Sequence, residues 1–121
     1  MILINGEARS EVPAMDRGLA YGDGVFRTFP ARNGAAVHWR RQYAKLASDA
    51  AALGLEAPAA GSLAAEVESA CRGEPECAVK IILTRGVGTR GYRYAEDMAP
   101  TRVVLAEPLP IASTSKLLLR H

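Results

Sequence analysis

Two short segments hold most of the residues in this chain that could do chemistry on an anion. The first runs Asp16-Arg17-Gly18-Leu19-Ala20-Tyr21-Gly22-Asp23-Gly24-Val25-Phe26-Arg27-Thr28-Phe29. The second runs Thr84-Arg85-Gly86-Val87-Gly88-Thr89-Arg90-Gly91-Tyr92. Glycine lets a backbone curl and approach a ligand closely, because no Cβ stands in the way. Arginine adds a planar cation that can grip a carboxylate through two parallel hydrogen bonds. Arg85 and Arg90 bring two such cations to one loop, a pairing suited to a substrate with two carboxylates. The same composition would also serve a tight surface loop with solvated arginines and a self-bonded Gly-Asp-Gly turn.

These segments need elements to hold them, and the flanking sequence supplies several. Met1 to Ile4, the dipeptide Asn5-Gly6 and then Glu7 to Arg9 predict a β-hairpin, since Asn-Gly accepts the positive φ angles of a tight turn. Val25 to Arg32 alternates as a strand, and Asn33-Gly34 turns it back into Ala35 to His38 by the same chemistry. Tyr43, Leu46, Ala50 and Leu53 recur at helical steps, which predicts a helix over 39–54 ending at Gly54. Beyond a Pro- and Ala-rich linker over 56–61, Ser62 is the expected N-cap of a second helix carrying Leu63, Val67 and Ala70. Cys77 to Thr84 reads as a strand with Val79, Ile81 and Leu83 on one face and Lys80, Ile82 and Thr84 on the other. Thr101 to Ala106 is the last strand before Pro108 and Pro110. The sum is an α+β domain: a mainly antiparallel sheet with two helices.

Composition narrows the possible functions. The chain has 121 residues, 49% hydrophobic and 23% charged, enough for one domain with a modest core. With 15 basic and 13 acidic residues the net charge is only +2, so there is no electrostatic footprint for nucleic acid or for an anionic membrane surface. No apolar run is long enough to span a bilayer, and no secretory leader precedes the first strand. The cytosol is therefore the expected location. Cys71 and Cys77 are the sole cysteines, and the histidines, His38 and His121, lie far from them in sequence. That spacing argues against a metal site and leaves two thiols or a local disulfide.

The first segment, from Arg17 to Phe26, resembles the Arg/Gly-x-x-Tyr-Gly-Asp-Gly-x-Phe signature of the fold-type IV pyridoxal-phosphate enzymes, which include branched-chain and D-amino-acid aminotransferases and aminodeoxychorismate lyase. The second, Thr84 to Tyr92, is similar to the Ser/Thr-Arg-Gly-x-Gly-x-Arg-Gly-Tyr run of the lyase branch. The resemblance covers residues 1–107 and implies the small N-terminal domain of the D-amino-acid aminotransferase-like fold, with 108–121 as a linker or tail. It implies that Tyr21, Phe26, Arg27, Arg85, Arg90 and Tyr92 lie at the substrate side of the active site. His38 to Ser48 is similar to the family segment whose arginine holds the cofactor phosphate; Lys45 stands at that position, with Arg41 one turn earlier as a substitute. The family's Schiff-base lysine belongs to a second domain, so no catalytic residue is expected within these 121 residues. Neither Lys80 nor Lys116 is expected to replace it, and the chain alone is not expected to hold pyridoxal phosphate. The activity implied is pyruvate elimination from a small-molecule substrate, aminodeoxychorismate, by a homodimer. A class IV aminotransferase, and a non-catalytic remnant or interaction module, are the alternatives.

Overall fold

A computed structural model of the protein describes residues 1–87 and 99–110. The elements in chain order are β1 (Ile2–Ile4), β2 (Glu7–Ala8), α1 (Arg17–Tyr21), β3 (Gly24–Arg32), β4 (Ala35–Ala36), α2 (Trp39–Ala52), α3 (Ala60–Cys71), β5 (Glu76–Val87) and β6 (Ala99–Pro108). The strands form one antiparallel sheet in the order β2-β1-β6-β5-β3-β4. Both Asn-Gly dipeptides behave as expected. Asn5 and Gly6 have φ of 52° and 81°, and Asn33 and Gly34 have 51° and 81°, the left-handed pair that closes a two-residue hairpin.

The expected α+β class holds, with one helix more than expected and several boundaries shifted: β5 runs on to Val87 and β6 from Ala99 to Pro108, and α2 ends at Ala52. The third helix is α1, five residues inside the glycine-rich segment, too short to show a hydrophobic period. Ser62 is not an N-cap: α3 begins at Ala60 behind Ala59, and Ser62 lies inside it. The Tyr43 hydroxyl donates to the Pro58 carbonyl at 2.7 Å, which pins the chain ahead of Ser62 and lets the helix start there. His38 is not in a strand either, since β4 ends at Ala36 and His38 turns into α2 with φ of 56°.

Both longer helices pack on one face of the sheet. Leu46 and Ala50 from α2, with Leu63, Val67 and Ala70 from α3, bury against Phe29, Val79, Ile81 and Val104. The alternation read from β5 is reproduced: Val79, Ile81 and Leu83 are buried while Lys80 and Ile82 are only half-buried. Arg102 clamps α3 to β6 through a two-pronged pair with Glu66, at 2.8 Å for the closest contact. The opposite sheet face carries Phe26, Ile82 and Val103 in one cross-strand row, because Phe26 pairs with Ile82 and Ile82 with Val103. Neither α2 nor α3 covers that row, and the two glycine-rich segments meet beside it.

Candidate functional site

The centre of this region is a buried carboxylate. Asp16 is 2% exposed and its oxygens accept from Gly18 N at 2.9 Å, Thr84 Oγ1 at 2.7 Å and Thr101 Oγ1 at 2.6 Å. The first bond caps α1; the other two reach strands distant in sequence. Thr84 and Thr101 are opposite each other in the β5–β6 ladder, at the last regular pair before a bulge. Thr84 Oγ1 also accepts from Gly86 N at 3.0 Å. One side chain thus fastens the first motif to the root of the second. Gly18 completes the fit: a Cβ there would lie 2.2 Å from Thr84 Cγ2, so α1 can rest on β5 only with glycine at this position.

A second carboxylate joins the arginines. Asp23 Oδ2 accepts from Arg17 Nε at 3.0 Å and Arg85 Nε at 2.8 Å, and Arg85 Nη2 also donates to the Leu53 carbonyl. Burial pushes the Asp23 carboxyl up, but the hydrogen bonds and charges of Arg85 and Arg17 together outweigh it and hold it below the ordinary carboxylate value. The sign of the consequence follows. A carboxyl whose folded value is depressed stabilises the fold above its unfolded value, and that contribution is lost as pH falls through the folded one. The stability difference between the wild type and Asp23→Asn is therefore expected to be largest near neutral pH. It should shrink below about pH 4, where unfolded carboxylates protonate. Urea unfolding at a series of pH values measures this; a difference that grows on acidification would contradict it.

Beside these networks the open sheet face forms a groove of about 430 Å³. Its walls are apolar, from Val12 and Leu19 on the α1 side to Phe26, Ile82 and Val103 on the sheet. Lys80 lies next to it, with Nζ 4.6 Å from the centroid of the Phe26 ring, a cation on an aromatic face. In register, Lys80 sits between Thr28 and Leu105. Sequence reasoning dismissed Lys80 as a Schiff-base candidate and missed its position at the groove, although the β5 alternation had already put it on this face. It also missed Asp16, whose partners are brought to it only by the fold.

The expected site residues divide between several places. Phe26 lines the groove, and Tyr21 stands at the end of α1, exposed, with the Arg17 guanidinium 4.6 Å from its ring centroid. Arg85 is close by but engaged with Asp23 and Leu53. Arg27 points to the helix side, where its Nε donates to Gln42 Oε1 at 3.0 Å. Lys45 and Arg41 are on exposed positions of α2, and Lys45 Nζ is 2.8 Å from Asp49 Oδ1. Neither lines the groove, so the structure does not bring the expected phosphate position and the groove into one cluster. Arg90, Tyr92 and Lys116 lie outside the described residues. Among those described, no group of three or more His, Cys, Asp and Glu could hold a metal ion, and no helix is long and apolar enough to cross a membrane.

Comparison with known proteins bears on the same segments. An aminodeoxychorismate lyase from Vibrio harveyi is 30% identical over 92 residues, 76% of this chain and 34% of that protein. The crystal structure of 4-amino-4-deoxychorismate lyase from Pseudomonas aeruginosa superposes with a TM-score of 0.75 and 31% identity, over 91% of this chain and 40% of that one. The chain is similar to the N-terminal part of the fold-type IV pyridoxal-phosphate enzymes. A hypothetical aminotransferase from Mycobacterium tuberculosis, in its pyridoxal-phosphate-bound form, matches 95% of the chain and 42% of its own length, with 25% identity and a TM-score of 0.73. No family model matches. The chain thus spans well under half the length of these fold-type IV relatives.

Proposed function

We propose that this chain is the substrate-side domain of an aminodeoxychorismate lyase-like enzyme, acting in elimination of pyruvate from 4-amino-4-deoxychorismate to give 4-aminobenzoate for folate synthesis. The observation that supports it is the meeting of the two motif segments at Asp16 and Thr84, 68 residues apart, beside one apolar groove. A ring-bearing substrate suits walls of Phe26, Ile82 and Val103, and Lys80 offers a cation to a carboxylate on that ring. Phe26 bounds the pocket in this reading, Tyr21 is assigned to the same substrate side, and Arg85 keeps the rim in place by holding Asp23. Arg90 and Tyr92 are assigned to the same substrate side. The exposed Met15, Leu19 and Tyr21 favour packing against a further domain or a second subunit, which is the homodimer expected in the cytoplasm.

For the cofactor the fit is partial. Lys45, an exposed cation on α2, would meet a phosphate as a point charge, and Arg41 stands one turn away. Pyridoxal phosphate, when bound, supplies an electron sink for substrate carbanions. Neither described lysine is assigned to imine formation, since Lys45 is paired with Asp49 and Lys80 covers Phe26. The domain's own contribution is to bind and orient the substrate and to keep water from one side of it.

A chimera tests this: residues 1–107 joined to the part of the Pseudomonas lyase that lies beyond the matched region. Release of 4-aminobenzoate from aminodeoxychorismate is expected, and Lys80→Met is expected to raise KM more than it lowers kcat. Amino transfer to a 2-oxo acid without 4-aminobenzoate release would favour the aminotransferase reading instead. The 121-residue chain by itself is expected to show no internal-aldimine absorbance with added pyridoxal phosphate.

A further inference from the structure

Cys71 and Cys77 take no part in the groove, yet their placement is specific. Cys71 is the last residue of α3 and Cys77 the second of β5, and both belong to the core, 2% and 1% exposed. The reversal between them is set by Arg72 and Gly73, both left-handed, and by the bond from Glu74 N to the Cys71 carbonyl at 3.0 Å. Cys77 Sγ lies 3.9 Å from that same carbonyl, and both residues belong to the same buried core cluster. A buried core of aliphatic side chains gains nothing in particular from two cysteines at one reversal, whereas a disulfide needs two such residues brought close across a short, conformationally fixed loop.

We propose that Cys71 and Cys77 are an oxidisable pair that closes to an internal disulfide, clipping the C-terminus of α3 to the start of β5, with a low-molecular-weight disulfide as the oxidant. One cysteine thiolate attacks a sulfur of oxidised glutathione, forming a mixed disulfide and expelling one glutathione thiolate. The second cysteine then attacks the protein sulfur of that mixed disulfide, forms the Cys71–Cys77 bond and expels the second glutathione. The protein loses two electrons and two protons; both glutathione sulfurs leave as thiols. Burial, and then the neighbouring Cys77, push the Cys71 thiol up to about 12, so in the closed fold its sulfur stays protonated and unreactive. Reaction therefore proceeds when the end of α3 opens, and re-closure brings the second sulfur into line.

The test is to refold the reduced 121-residue chain in oxidised glutathione and compare it with the chain refolded in dithiothreitol. The expected product is lighter by about 2 Da, carries no alkylatable thiol, yields a peptide joining residues 71 and 77, and melts higher than the reduced chain. Cys77→Ser in the same buffer is expected to carry one glutathione, removable by dithiothreitol. Two free thiols in the wild type would overturn the proposal. So would a glutathione adduct with no internal link, or a linked chain that melts lower than the reduced one. The wild-type peptide map decides even where the serine variant fails to fold.

Discussion

Asp16→Ala is expected to lower the stability of the domain by about 3–5 kcal/mol, a large part of what a domain of this size possesses. The carboxylate is buried and accepts three hydrogen bonds, two of them from hydroxyls that are themselves 6% and 7% exposed. Removing it leaves Thr84 and Thr101 with buried donors and strips α1 of its cap, and each of these losses adds cost. Asp16→Asn keeps the shape but turns an NH2 group toward hydroxyl donors, so it is expected to fall between the wild type and alanine. Thr84→Val and Thr101→Val each remove one donor and should cost about 1–2 kcal/mol. Combined with Asp16→Ala, Thr101→Val should cost almost nothing further, because its partner is already gone, whereas Thr84→Val still leaves Gly86 N without its acceptor and keeps part of its cost. Urea unfolding of the singles and doubles tests this. A loss below about 1 kcal/mol for Asp16→Ala, or simple additivity in the doubles, would show that water replaces the carboxylate and that the network does not hold the motifs together.

That network also marks the boundary of what sequence could reveal. Hairpins with Asn-Gly turns, the alternation of β5 and the apolar stripe of α2 were legible because each is a local pattern with its own period or turn chemistry. Lys80 was legible as to face, though not as to neighbour, since only the register against β3 puts it over Phe26. Asp16 was not legible as the hub, since its partners stand 68 and 85 residues away and nothing in their immediate surroundings singles them out. Arg85 illustrates the opposite error. Its residue type suggests a hand held out to substrate, and its neighbours turn that hand to Asp23 and the Leu53 carbonyl. Charge type can be read from sequence; the acceptor it finds first depends on which segments the sheet brings together.

Gly86→Ala carries the second large expected effect, and Gly54→Ala is its control. Both glycines have positive φ, +87° and +74°, so alanine at either site pays a comparable left-handed penalty of about 1–2 kcal/mol. They differ in what a Cβ would meet. At Gly54 there is nothing within 4 Å, whereas at Gly86 it would stand 1.8 Å from the Ala99 carbonyl oxygen and 2.8 Å from its carbon. That obstacle is backbone, paired across the β5–β6 bulge, and cannot swing aside like the end of a side chain. The clash must be relieved by parting the strands, which also disturbs the bond from Gly86 N to Thr84 Oγ1 and with it the Asp16 cluster. Gly86→Ala is therefore expected to cost at least about 3 kcal/mol and Gly54→Ala about 1–2 kcal/mol, by urea unfolding. Hydrogen exchange should localise the difference, with the amides of Thr101 to Val103 losing protection in the first variant and keeping it in the second. Equal losses in the two proteins would mean that the bulge shifts freely, and that glycine at position 86 serves backbone conformation alone rather than the close approach of β6.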